Sequence, residues 1–242
     1  MTTLQTLTPA GELARRNDGR FPGESDEYRE ARNELLAEEI ELQSRIDRVA
    51  EQRRALPPGP VIDKDYRFMD MNGDEVGLVD MFGAHDTLIT YFWMYGPDRT
   101  RPCPMCTNLL GPLDANARDI GQRAALAVLG RSTVERQVAF ARERGWRALK
   151  FHQLVGDDYA LDFGGLDPEK GWELPVLAVF QREGEGEDAM VRLFWRGEMT
   201  SEMADEGKDP RGGPDPAPLW TMLDLTPEGR GTDWYPRLEY AR

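Results

Sequence analysis

The sequence predicts an α/β protein with a central mixed sheet flanked by helices, and three observations predict it. Thr87–Tyr95 (TLITYFWMY) is β-branched and aromatic and carries no charge, the pattern of a strand buried on both faces. From Thr87 onward, short apolar runs alternate with segments of helical periodicity. The series ends with two strand-like runs, Val176–Gln181 and Met190–Trp195, around a Gly/Glu-rich turn, which adds an antiparallel hairpin to a strand–helix alternation.

The 242 residues suit one large domain or one domain with extensions, and 40% hydrophobic residues can fill a core. No run approaches the roughly 20 apolar residues of a membrane span, so no membrane partner is expected. Thirty Lys and Arg against 44 Asp and Glu leave a net charge of −14, which repels a phosphate backbone and argues against nucleic acid. The opening residues lack the charged-then-apolar layout of a secretory signal, so a cytoplasmic protein is expected.

Residues 1–24 are polar, carry Gly19, Pro22 and Gly23, and read as a flexible leader. Residues 25–57 form a second segment, an amphipathic helix started by Ser25 or Asp26 and stopped by Pro57-Pro58. Tyr28, Leu35, Leu42, Val49 and Leu56 recur at heptad spacing, widened by Leu36, Ile40 and Ile46. That stripe either packs on its own domain or meets a second copy of the chain in a homodimer. Glu38, Arg45 and Gln52 interrupt the other seam, which disfavours a long two-stranded coiled coil.

The main domain is expected over residues 58–198. It opens with a hairpin from Tyr66 to Phe82 turning at Asn72-Gly73. After Cys106, the residues Leu109, Leu110, Leu113, Ala117 and Ile120 mark one helical face, with a kink expected at Pro112. Ala124–Leu129 is a short strand, Ser132-Thr133-Val134-Glu135 a capping box for a helix ending near Gly145, and Leu149–Val155 another strand. Residues 199–242 read as a Gly/Pro/acidic loop to Pro218, then a tail from Leu219 that docks on the body.

The chain has only two cysteines, in Cys103-Pro104-Met105-Cys106. A thiol is a strong nucleophile only as thiolate, and its ordinary pKa is about 8.5. A cysteine where a buried strand gives way to a helix meets unpaired N–H groups and the positive end of the dipole, which favour the anion. Arg99 and Arg101 add positive charge nearby. Cys106, one turn further on, can reach back and resolve a mixed disulfide formed at Cys103. A zinc half-site would need His85 and His152 as further ligands, which lack zinc-finger spacing, so no metal is expected. Phosphate loops, Ser-His-Asp order and dinucleotide fingerprints are absent, and no cofactor is expected.

Pro175 precedes the strand-like run from Val176. Pro175 either opens an edge strand through an ordinary trans bond or follows a cis Leu174–Pro175 bond that would expose the Leu174 backbone to an extended substrate, and the CxxC context favours cis. Trp93 either lines the cysteine cleft or packs in the core, and His152, in a strand pattern, is read as solvent-facing or hydrogen-bonded rather than as a catalytic base. The acidic turn Glu183–Asp188 lacks calcium-ligand spacing.

The strand–CxxC–helix unit with a proline before a later hairpin resembles the thioredoxin fold. The segments ELLAEEIEL, RALP, DKDYRF, LVDMFG, YFWMYGPD, CPMC and LDLTPEGR resemble a bacterial family catalogued as domain of unknown function 899, described as predicted dithiol–disulfide oxidoreductases. The resemblance spans about Asp26 to Arg230. It implies a thioredoxin-like core with a helical N-terminal extension, Cys103 as nucleophile and Cys106 as resolver. The partners it implies are a disulfide-bearing protein or small molecule and an unidentified electron donor. Thioredoxins have Gly-Pro between the cysteines and a buried carboxylate in the preceding strand; here Pro-Met stands between them, and Thr87–Tyr95 holds no carboxylate. Peroxiredoxins show Pro-x-x-x-Thr-x-x-Cys, which Pro97, Thr100 and Cys103 miss by one residue. That resemblance keeps Thr100 as a tuning residue and a thiol peroxidase as an alternative, beside a non-enzymatic interaction or metal-binding module.

Overall fold

A computed structural model describes residues 8–184, 189–198, 203, 205, 218, 219, 222, 225, 226 and 233–240. Most of the loop expected over 199–218, the tip of the acidic turn and most of LDLTPEGR lie outside the described residues. The chain forms two compact units, Met1–Pro57 and Pro58–Arg242.

In the first unit, a short helix α1 (Ala10–Arg15) stands within the stretch expected to be a flexible leader. AGELAR holds good helix formers, and α1 packs along the long helix α2 (Asp26–Arg54). Ser25 caps α2 by accepting the Tyr28 N–H at 3.1 Å, as the sequence predicts. The heptad stripe stays exposed: Tyr28, Leu35, Leu42 and Val49 all lie open.

The second unit begins with β1 (Arg67–Met69) and β2 (Glu75–Gly77), paired antiparallel. Their connection is longer than the expected two-residue turn. Asp70 donates its N–H to the Asp74 carbonyl, and its carboxylate accepts the N–H groups of Asn72 and Asp74. That carboxylate organises the loop, and Gly73, at φ +87°, turns it. There follow β3 (Thr87–Phe92), α3 (Pro104–Ile120), β4 (Ala125–Gly130), α4 (Val134–Arg144), β5 (Phe151–Leu154), α5 (Asp158–Asp162), β6 (Val176–Glu183) and β7 (Met190–Arg196). The sheet order is β2-β1-β5-β4-β3-β6-β7. The uncharged β3 is central, parallel to β4 and antiparallel to β6. The β4-β3-β6-β7 block, a parallel βαβ pair with an antiparallel hairpin added beside its first strand, is the thioredoxin arrangement, so the mixed α/β expectation and its fold family hold.

Both faces of the sheet are covered. Phe68, Phe82, Leu88, Phe92, Leu129 and Phe180 fill one core, while Tyr91, Trp93, Leu110, Phe140 and Phe151 join Cys106 in the other. The odd-numbered residues of β3 therefore point toward the layer that contains α3, and Leu88 and Phe92 point the opposite way. Helix α3 runs on through Pro112 to Ile120. The Asp114 carboxylate on α3 accepts the N–H groups of Arg147, Ala148 and Leu149 at 2.8–3.1 Å, and so ties the helix to the entry of β5. Strand β7 would be an open edge, but Ile62 donates its N–H to Val191 and Leu193 donates to Pro60. Gly59 is needed there, since a Cβ would meet the Leu193 carbonyl oxygen at 1.9 Å.

Thr133, not Ser132, caps α4, accepting the Arg136 N–H, while Ser132 is buried with its hydroxyl unpartnered. Helix α4 ends at Gly145 in the left-handed region, as expected. Thr133→Ala is therefore expected to cost about 1 kcal/mol, and Ser132→Ala a few tenths at most, in urea unfolding. Equal losses would return the cap to Ser132.

Candidate active site at Cys103 and Cys106

After β3 the chain makes one more ladder bond, from the Trp93 N–H to the Leu129 carbonyl, and then breaks from the sheet. Cys103 donates its N–H to the Met94 carbonyl at 3.0 Å, which brings the loop back beside the strand end it left. Pro104 takes the first helical position, where a missing N–H costs nothing. Cys103 thus becomes the N-cap residue of α3. Its carbonyl accepts both the N–H and the hydroxyl of Thr107 at 3.0 Å.

The two cysteines approach to 3.9 Å. Cys103 is partly exposed, whereas Cys106 is 1% exposed, so only Cys103 can meet a visiting molecule. The Cys103 thiol is lowered well below its ordinary value, to about 6. The Cys106 thiol, donating toward its sulfur, is the largest cause. Burial opposes it, and the N–H groups of Cys106 and Met105 and the Arg99 guanidinium add to it. The Cys106 thiol moves the other way, pushed well up by the same hydrogen bond, by burial and by the charge on Cys103. The pair shares one proton, and Cys106 keeps it.

Of the two arginines expected to tune the thiol, Arg99 acts on Cys103. Arg101 pairs with Glu143 at 2.8 Å and lies over the Phe140 ring at 5.1 Å, so its charge is engaged elsewhere. Thr100 is exposed on the same loop. Arg136 braces that loop by donating to the Pro97 and Arg99 carbonyls while stacking on Tyr95.

Trp93 does not line a cleft. It is 0% exposed and packs against Tyr95, Phe140, Trp146 and Phe151, so the core reading of this residue holds. The Leu174–Pro175 bond is trans, as every described peptide bond is, which corrects the cis expectation. The Leu174 N–H is also taken, donated to the Gly165 carbonyl at 2.9 Å, and cannot serve a bound substrate. The side chains of Leu174 and Trp172 are exposed on either side of Glu173.

Glu173 was not singled out from the sequence. It is 6% exposed, and one carboxylate oxygen accepts the Gly96 N–H at 3.0 Å and the Arg99 Nε–H at 3.1 Å. The other lies 3.8 Å from Arg131, which is itself held by Asp157. A Cβ on residue 96 would sit 2.4 Å from that carboxylate, so any larger residue there would displace it. Glu173 thereby joins the segment before Pro175 to the loop that leads to Cys103. The only local signal was an acidic residue in an otherwise apolar WELPV.

His152 is buried rather than solvent-facing, and its Nδ1 has no partner. Burial first, then the Lys150 charge, lowers it from 6.5 to about 4 against the pull of Asp70. With His85 it lines a separate cavity of about 610 Å³, and neither cysteine is among its lining residues. Among the described residues, no group of three or more His, Cys, Asp or Glu is placed to hold a metal ion. No described helix is long and apolar enough to cross a membrane.

Two pH dependences follow. Alkylation of Cys103 by iodoacetamide should rise with a midpoint near pH 6, not near 9, and Cys106→Ala should move that midpoint upward further than Arg99→Ala does. For His152, the unfolded imidazole takes up a proton below about 6.5 that the buried ring refuses until about 4. Stability should therefore fall as pH drops through that window, and His152→Phe should flatten the slope in acid unfolding curves.

A search of curated proteins finds no match. Among solved structures, the chain is similar to an exposed lipoprotein thioredoxin of Streptococcus pneumoniae at 15% identity, over 52% of this chain and 87% of that one, with a TM-score of 0.37. It is similar to the peroxidoxin BcpB of Mycobacterium tuberculosis at 17% identity, over 52% and 79%, with a TM-score of 0.40. A cysteine mutant of PrxQ from Xylella fastidiosa aligns at 15% identity, over 58% and 84%, with a TM-score of 0.41. Residues 19–240 match a family described as bacterial proteins of unknown function, DUF899, and the chain belongs to that family.

Proposed function

We propose that the protein is a dithiol–disulfide oxidoreductase. The observation that carries this reading is the partly exposed Cys103 at the start of α3, its thiol lowered to about 6 and 3.9 Å from a buried partner thiol. The Cys103 thiolate attacks one sulfur of a substrate disulfide, forms a mixed disulfide and releases the other substrate sulfur as a thiolate. Cys106 then attacks Cys103, closes an intramolecular disulfide and frees the reduced substrate. An external electron donor reopens the pair. A thiol near pKa 6 is mostly ionised at neutral pH and keeps useful nucleophilicity.

Leu174, Pro175 and Trp172 present an exposed apolar edge on the segment that Glu173 fastens to the cysteine loop, which supports contact with a disulfide-bearing protein or small molecule there. The scarcity of cysteines supports a place in the bacterial cytoplasm. The exposed stripe of α2 supports a second copy of the chain as its partner.

Cys103→Ser should lose all disulfide exchange with a model disulfide, while Cys106→Ser should accumulate a mixed disulfide visible by mass spectrometry. Equal behaviour of the two variants would remove the role assignment. Oxidation of the wild type by hydrogen peroxide far faster than a free thiol of similar pKa would move the protein to the thiol peroxidases.

A further inference from the structure

Resolution poses a problem that the first step does not. Cys106 must become an anion to attack, yet it is 1% exposed, and burial works against its charge. The sequence offers no carboxylate in β3 to assist it. Two groups act in the opposite sense, the Tyr91 side chain and the Met94 N–H, both hydrogen-bonded to the Cys106 sulfur. Tyr91 is held firmly for this. Its backbone pairs with Val128 on β4 and Leu177 on β6, and its side chain is buried in the same apolar cluster as Cys106.

Resting on the dithiol reading above, we propose that Tyr91 is a catalytic residue of the resolving step, its phenol hydroxyl donating a hydrogen bond to the Cys106 sulfur as that sulfur becomes the attacking anion. Once substrate is bound to Cys103, the negative charge that opposed ionisation of Cys106 is gone. The Cys106 S–H gives up its proton, its sulfur bonds to the Cys103 sulfur, and the bond between Cys103 and the substrate breaks. The departing substrate sulfur leaves with the electron pair and takes up the proton. A thiol and a mixed disulfide thus become an intramolecular disulfide and a new thiol, with no outside oxidant. Tyr91 neither gains nor loses a proton across the step. It stabilises charge that water cannot reach. The hydroxyl matters because the Met94 donor belongs to the backbone, which leaves Tyr91 as the contribution a side chain controls.

The test uses reduced full-length protein with one equivalent of dithiobis(nitrobenzoate) and stopped-flow detection of released nitrothiobenzoate. The wild type should release one equivalent as Cys103 attacks and a second as Cys106 resolves. In Tyr91→Phe the first rate should stay within about twofold, and the second should fall about tenfold, as expected for losing a hydrogen bond to a charged group. A second rate within twofold of wild type, or an equal slowing of both phases, overturns the proposal. Replacing tyrosine by fluorotyrosine, a stronger donor, gives an independent measurement in the unmutated chain. The second phase should quicken and the first should not, and an unchanged second phase also overturns it. A wild-type protein that releases only one equivalent would instead remove the dithiol reading, and this role with it.

Discussion

The negative charge on the Cys103 sulfur, and how it is held, governs the rest of this site. The charge is not stabilised by a single strong partner. It rests on a neighbouring thiol that keeps its proton, on two N–H groups at the open end of a helix and on one guanidinium. Each of these is supplied by backbone placement: the turn after β3, the return bond from Cys103 to Met94 and the start of α3 at Pro104. Burial alone would have raised the thiol. The oriented donors outweigh it because the low-dielectric surroundings that penalise the charge also strengthen hydrogen bonds to it.

The asymmetry between the two sulfurs follows from the same geometry. One caps the helix and is partly open to solvent, and the other sits a turn inside under Tyr91 and is closed to it. A proton shared between them settles on the buried sulfur, because an exposed anion costs less than a buried one. The division into attacking and resolving thiol is therefore set by depth in the fold, with the motif supplying only the spacing.

Glu173 extends the arrangement to the surface where a substrate would lie. A buried carboxylate held by Gly96 and Arg99 is costly to desolvate, and its hydrogen bonds are what make it tolerable. In exchange, the loop before Cys103 and the segment before Pro175 cannot drift apart. Gly96 is the residue that permits the approach, since any side chain there would push the carboxylate out.

Much of the fold was legible in the sequence because its signals are local. The uncharged run at Thr87, the Ser25 cap, the Gly145 stop and the two closing strands each express a periodicity or a backbone preference that neighbours do not overrule. The cysteine pair was legible too, since its spacing and its place between strand and helix are written along the chain. The burial of Trp93 and of His152 was decided by packing across the sheet. So were the contacts of Glu173 and Tyr91, whose partners lie on other elements. A sequence records which groups can donate, accept or carry charge, whereas the closure of α3 and the Pro175 segment onto β3 decides which of them meet, and hydrogen bonds and desolvation depend on that meeting.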